Sequence, residues 1–150
     1  DFFEDPTDKE IDAYDSRVLN AIRSGDIDEL RRLHHEEGRP MKCSNRFGES
    51  LLHLACRRGL VDVASFLIKE AGVTVRVRDD YGRTPLHDAC WTHTPNFELV
   101  ELILGECPEL LFMSDRRGHT PLCYAREHQW PAWVSFLREK EHSLFSNMAF

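Results

Sequence analysis

The sequence predicts an all-α repeat fold: an α-solenoid of about four stacked helix pairs. Self-comparison supplies the main observation. Ser50-Leu-Leu-His-Leu-Ala55, Thr84-Pro-Leu-His-Asp-Ala89 and Thr120-Pro-Leu-Cys-Tyr-Ala125 align at spacings of 34 and 36 residues. A weaker upstream copy, Val18-Leu-Asn-Ala-Ile-Arg-Ser-Gly25, matches Leu52-His-Leu-Ala-Cys-Arg-Arg-Gly59, again with a 34-residue step from Ala21 to Ala55. The second observation is that every copy runs into a further apolar set: Ile27/Leu30/Leu33, Val63/Phe66/Leu67, Leu99/Leu102/Ile103 and Trp133/Phe136/Leu137. Steps of three and four put each set on one helix face. Composition is the third. At 150 residues, 41% hydrophobic and 30% charged, the chain can bury one core and remain solvated.

In chain order, residues 1–15 form an acidic lead with seven acids and one base, so −6 of the net −7 lies there and the body is close to neutral. Thr7-x-x-Glu10 has the form of a capping box. Ile11, Tyr14, Val18 and Ile22 follow at helical spacing, so the first helix is expected to begin near Asp8 rather than at Asp15. The repeat body covers 16–140, with units near 16–38, 45–72, 79–108 and 115–140, and a tail at 141–150. Thr84 is placed to cap a helix that Pro85 opens, where no N–H is needed. Ala89 is small enough for close helix approach, and Gly59 can take the left-handed conformation that ends a helix. Asn45-Arg-Phe-Gly48, Asp79-Asp-Tyr-Gly82 and Asp115-Arg-Arg-Gly118 carry turn chemistry. The third unit is two residues longer, with Trp91-Thr-His-Thr-Pro-Asn96 at its inner turn; Thr94 and Pro95 are expected to serve as N-cap and first helical residue. Gln129-Trp-Pro-Ala132 opens the last helix in the same manner. Ser143 to Phe150 either fray or dock Leu144 and Phe145 on that helix.

These motifs resemble the ankyrin repeat, whose period is about 33 residues and whose signature is T-P-L-H-x-A. The resemblance covers roughly residues 16–140, with residues 50–68 and 84–104 the closest copies. It implies helix pairs, each preceded by a short β-hairpin-like finger, and divergent terminal caps with one face toward solvent. It also implies that His53 and His87 are structural, bonding backbone groups between repeats.

Several chemistries are excluded or unsupported. No stretch approaches 18 uninterrupted apolar residues, so no membrane-spanning helix is expected. The N-terminus lacks the basic region of a signal peptide and an initiator Met, which reads as a piece of something longer. Cys43, Cys56, Cys90, Cys107 and Cys123 are odd in number and form no CxxC, which suggests free thiols in an intracellular compartment, cytoplasmic or nuclear. Cys56 and Cys90 are expected to be packed and inert, and Cys43 and Cys107 more accessible. His53, His87 and Cys123 stand roughly 10 Å apart in successive repeats, too far to share one metal ion. Cys90-x-x-His93 reads as a buried thiol beside a loop histidine. No phosphate loop, nucleophile elbow or H-E-x-x-H is present. No catalytic residue, metal or cofactor is expected.

In the resembled family, ligands meet the fingertips and the exposed end of each first helix. Projecting that pattern selects Arg23 from the first unit and Arg46, Phe47, Arg57 and Arg58 from the second. Tyr81, Arg83 and Trp91 come from the third, and Arg116, Arg117 and His119 from the fourth. The projected face holds seven arginines against Glu49, Asp80 and Glu127, a charge of +4. Arginine and aromatic side chains are enriched at binding hot spots, and guanidinium forks onto carboxylates and phosphates. The expected function is a monomeric, non-catalytic protein-interaction module that takes an acidic or phosphorylated partner segment on its finger-side, concave face. The competing readings are an architectural spacer or regulatory domain of a larger protein, and nucleic-acid or anionic-lipid binding through the same arginines. The near-neutral body argues against nucleic acid. The acidic lead is also weighed as a strap that folds across the arginine face.

Overall fold

A computed structural model describes residues 2–148. Its architecture is an all-α repeat fold. A short helix α1 (Asp8–Asp12) and α2 (Ser16–Ser24) are followed by α3 (Ile27–Arg31), which widens into a π-helical turn at Arg32–Glu36. The next pair is α4 (Leu51–Arg57) and α5 (Val61–Ser65), the latter again widening at Phe66–Glu70. Then come α6 (Pro85–Trp91) and α7 (Phe97–Glu106). The last unit replaces its first helix by a 3₁₀ turn, Pro121–Tyr124, before α8 (Trp130–Phe145). Among the described residues the only β feature is an isolated antiparallel bridge between Ser44 and Ser50. No described helix is long and apolar enough to cross a membrane.

Local chemistry explains these boundaries. Thr7 and Glu10 form the expected reciprocal capping box, and α1 begins at Asp8. The first helix thus starts where expected, but it does not run on through Tyr14 to Val18: the chain breaks at residues 13–15. Asp15 is extended and its carboxylate accepts the Val18 N–H, so it caps a separate helix. A salt bridge to Arg39 ties Asp15 down. Ser50 and Thr84 cap α4 and α6, with His53 and His87 bonding back to the cap N–H groups, and Pro85 stands in the first turn. Gly59 is left-handed (φ +67°) just past α4. The inserted loop is ordered, but Asn96 and not Thr94 caps α7, leaving Pro95 outside the helix. Asn96 wins because its amide reaches both ways: the oxygen accepts the Leu99 N–H, and the nitrogen donates to the Gly59 carbonyl. Thr120 makes no side-chain cap bond, since Cys123 stands where the other units have histidine; only a turn of 3₁₀ helix forms there.

The core is a single apolar cluster running from Val18 and Ile22 through Leu52, Leu67, Leu86 and Leu104 to Trp133 and Phe136. Leu144 and Phe145 pack against it. One expectation fails here. Cys43 and Cys107 are buried like Cys56 and Cys90, and Cys123 is the exposed thiol. Burial pushes the Cys43 and Cys107 thiols up to about 12 and about 11. They lie in connecting segments, but in a solenoid those segments lie over the seams between repeats and are covered by the neighbouring unit.

Candidate interaction face

The three fingertips are built alike. At each, the leading Asx oxygen accepts two backbone N–H bonds: Asn45 from Phe47 and Glu49, Asp79 from Tyr81 and Arg83, Asp115 from Arg117 and His119, all between 2.9 and 3.1 Å. This is the local side-chain turn that Asn and Asp favour. The fingers are then stitched together by main-chain bonds: Asp80 N–H to the Phe47 carbonyl (2.8 Å) and Arg116 N–H to the Tyr81 carbonyl (2.9 Å). Gly48 makes this possible. A Cβ there would lie 2.8 Å from the Arg78 carbonyl oxygen, and its φ is +77°.

The stitching fixes where the projected residues fall. Arg46 and Phe47, Tyr81, and Arg116 and Arg117 share one edge, with the Arg46 guanidinium 4.9 Å above the Phe47 ring and that of Arg83 4.9 Å above Tyr81. Phe47, Tyr81 and Trp91 are 48%, 63% and 53% exposed, although they are large apolar side chains. Arg58 is exposed just past α4, and Arg23 in the last turn of α2. His119 is exposed at its ring but structural at its carbonyl, which accepts from His87 Nε2 at 2.9 Å. The equivalent bond from His53 Nε2 to the Arg83 carbonyl is 2.8 Å.

Behind the edge lies a cleft of about 270 Å³ that brings Arg57, Arg83 and Trp91 together with Glu49, His87, Asp88 and Tyr124. Its arginines are already engaged. Arg57 Nη2 lies 3.2 Å from Glu49 and 3.1 Å from Asp88, and Arg83 Nε lies 2.9 Å from Asp79. The +4 projection therefore overstates the field, because Asp79 and Asp88 neutralise two of its seven arginines. Burial pushes the Asp88 carboxyl above the usual range, opposed by the Arg57 and Arg83 guanidiniums. Burial also raises the Tyr124 hydroxyl to about 12, helped by its hydrogen bond to Asp115. Asp88 and Tyr124 escaped the projection. Their signal was in the self-alignment, where Leu54, Asp88 and Tyr124 occupy one slot: an acid and a phenol follow a leucine.

Among the described residues, no acid of the lead forms an ion pair with these arginines. Glu4 pairs with Lys42 (3.1 Å) and Arg76 (4.0 Å), and Phe3 lies under Arg78. Asp1 falls outside the described residues. Among those residues no group of three or more His, Cys, Asp and Glu side chains is arranged to hold a metal ion.

Comparison with known families gives a match between residues 18–111 and the family described as ankyrin repeats (3 copies). Similar proteins include the bovine (Bos taurus) SMC5-SMC6 complex localization factor protein 1, 39% identical over 79 residues, which is 53% of this chain and 7% of that protein. A probable 26S proteasome regulatory subunit p28 of Saccharomyces cerevisiae is 32% identical over 107 residues, 70% of this chain and 45% of that protein. A putative ankyrin repeat protein of Rickettsia bellii is 27% identical over 124 residues, 81% of this chain and 66% of that protein. The chain thus spans a small part of the first of these relatives and less than half of the second.

Proposed function

The chain belongs to the ankyrin-repeat family, and from that premise we propose that it is a non-catalytic protein-interaction module whose finger edge and concave face take an acidic or phosphorylated segment of a partner protein. Ankyrin repeats generally serve as protein-interaction modules. One observation carries the finer reading. Phe47 and Tyr81 are held exposed on a finger edge tied by the main-chain bonds between tips, and Trp91 is exposed at the end of α6, in the cleft behind it. Large aromatics presented on a rigid support are what a desolvated binding hot spot requires.

Charge sets the partner's chemistry. Arg46, Arg58, Arg116 and Arg117 make no ion pair within 4 Å among the described residues, and Arg46 is already positioned over an aromatic ring. Free guanidinium beside an exposed ring suits a carboxylate or phosphate with an apolar neighbour. The five free thiols fit a reducing, intracellular setting.

The test follows from which arginines are free. Reversing Arg57 or Arg83 would set a carboxylate against Glu49, Asp88 or Asp79 and damage the fold. The informative variant is Arg46→Glu/Arg116→Glu/Arg117→Glu. It should melt as the parent does and lose the partners that the parent captures, as measured by quantitative affinity capture. Partners retained at parental level would move the interface off this edge. Generic duplex DNA, titrated alongside at low salt, should bind neither form, since the body lacks a dominant basic footprint.

A further inference from the structure

The segment of residues 73–78, between the second helix pair and the second finger, has no regular structure. It nevertheless has the alternation of a strand: Val73, Val75 and Val77 are buried, and Arg76 and Arg78 point outward. Such a segment can offer main-chain carbonyls to another chain between basic side chains, although its Arg76 N–H already donates to the Thr74 hydroxyl at 3.1 Å.

Part of that edge is occupied by the chain's own beginning. The Glu4 N–H donates to the Arg76 carbonyl at 3.0 Å. Each of the three side chains there meets a cation: the Arg76 guanidinium stands 5.8 Å from the Phe2 ring centroid, that of Arg78 stands 4.6 Å from Phe3, and the Glu4 carboxylate lies 3.1 Å from Lys42 and 4.0 Å from Arg76. Phe2 and Phe3 pack edge to face with each other, centroids 4.8 Å apart.

Phe2 and Phe3 pack against the outside of the core without being buried in it, and two observations mark the strap as a seated ligand. It underfills its site. The groove beside Phe2 measures about 650 Å³ and runs on past it to Glu106 and Cys107, while both phenylalanines stay partly exposed. It is also weakly held at its root, because α1 buries none of its residues. We propose that the groove along residues 73–78 is a docking site for an extended segment of a partner protein that carries two adjacent aromatic side chains followed by a carboxylate, and that Phe2-Phe3-Glu4 occupies it in cis. The main-chain edge supplies register, Arg76 and Arg78 supply the aromatic subsites, and Lys42 reads the carboxylate. The tethered strap is then a competitor that sets a threshold for partners, since a short tether gives an effective concentration near the millimolar range.

A fluorescently labelled peptide of residues 1–7 is the probe, titrated by anisotropy against three forms of the 150-residue chain. Phe2→Ala/Phe3→Ala empties the groove and should bind the peptide about tenfold more tightly than the parent does, the tethered competitor having been removed. Adding Arg76→Glu/Arg78→Glu should abolish that gain. Equal binding to the parent and the emptied form overturns cis occupancy. Failure of a folded, emptied form to bind the peptide overturns the docking site, as does binding that survives the arginine reversal. If the double alanine form loses its helical signal, Glu4→Arg replaces it in the same titration, because it removes the carboxylate while leaving both rings; unchanged peptide affinity there overturns the proposal.

Discussion

At the residue scale, the buried histidines show how one side chain can set a whole interface. The backbone N–H of Thr84 donates to His87 Nδ1 at 3.0 Å, so that nitrogen must be unprotonated. Nε2 must then carry the hydrogen that it donates to the His119 carbonyl. A second proton would have to displace the Thr84 bond, and burial already holds the His87 pKa below its usual 6.5. His87→Ala leaves a buried N–H and a carbonyl without partners and should cost about 2 kcal/mol in denaturant unfolding. The sign of the pH effect follows from linkage. A depressed folded pKa means that the unfolded chain binds the proton first, so His87's contribution is full above about 6.5 and is lost as pH falls toward the folded value. The parent should therefore lose stability between about pH 7.5 and about 5.5, and His87→Ala should lose less. A steeper slope in the variant would contradict this account. The structural role of both histidines was legible from the repeat pattern. Asp88 was not recognised, because a single acid in a signature slot reads as surface until a partner such as Arg57 is seen beside it.

At the element scale, the fingers and helix ends obey different rules, and the sequence exposes them unequally. The fingers were legible because an Asx at one end and glycine at the other determine the turn by local bonds alone. The expected N-caps at Thr7 and Thr84 were legible for the same reason. The ends at Asp15 and Asn96 were not, since each competes with a neighbour of similar local merit and is selected by a distant group: Arg39 for Asp15, and the Gly59 carbonyl for Asn96. The missing first helix of the last unit belongs to the same class, because the loss of one cap partner at Cys123 tips a short helix into a 3₁₀ turn. A pair of glycine variants tests the distinction. Gly25 and Gly48 are both left-handed, but a Cβ on Gly25 meets nothing within 4 Å, whereas on Gly48 it meets the Arg78 carbonyl at 2.8 Å. Gly25→Ala should cost only the left-handed penalty, about 1 kcal/mol. Gly48→Ala should cost clearly more and also weaken partner capture, because it pushes the first finger away from the second. Equal costs by thermal unfolding would show that the stitching between fingers is not tight.

At the scale of the whole molecule, the question is whether repeats with mainly nearest-neighbour contacts unfold together. Stability in a solenoid is a sum of repeat and interface terms, so the ends can separate from the middle if one interface is weak. Here the buried cluster has no break from Val18 to Phe136. Polar pairs also cross between the first two units on the second-helix side: an ion pair from Arg31 to Glu70 and a hydrogen bond between His35 and Glu70. Those pairs are exposed and add little, so the coupling has to come from packing. The tryptophans allow it to be measured. Trp91, Trp130 and Trp133 all lie in the C-terminal part of the chain, so their fluorescence reports that end, while far-ultraviolet circular dichroism reports every helix. Ile22 is fully buried in α2, at the opposite end. Ile22→Ala should cost about 2–5 kcal/mol. If packing couples the units, the fluorescence midpoint in urea falls by as much as the dichroism midpoint, although no tryptophan lies near the substitution. If the interfaces are weak, the dichroism curve becomes biphasic and the fluorescence midpoint stays where it was. A cooperative result bears on function as well, because a finger edge can act as one rigid support for Phe47 and Tyr81 only while the helix pairs behind it stand or fall together.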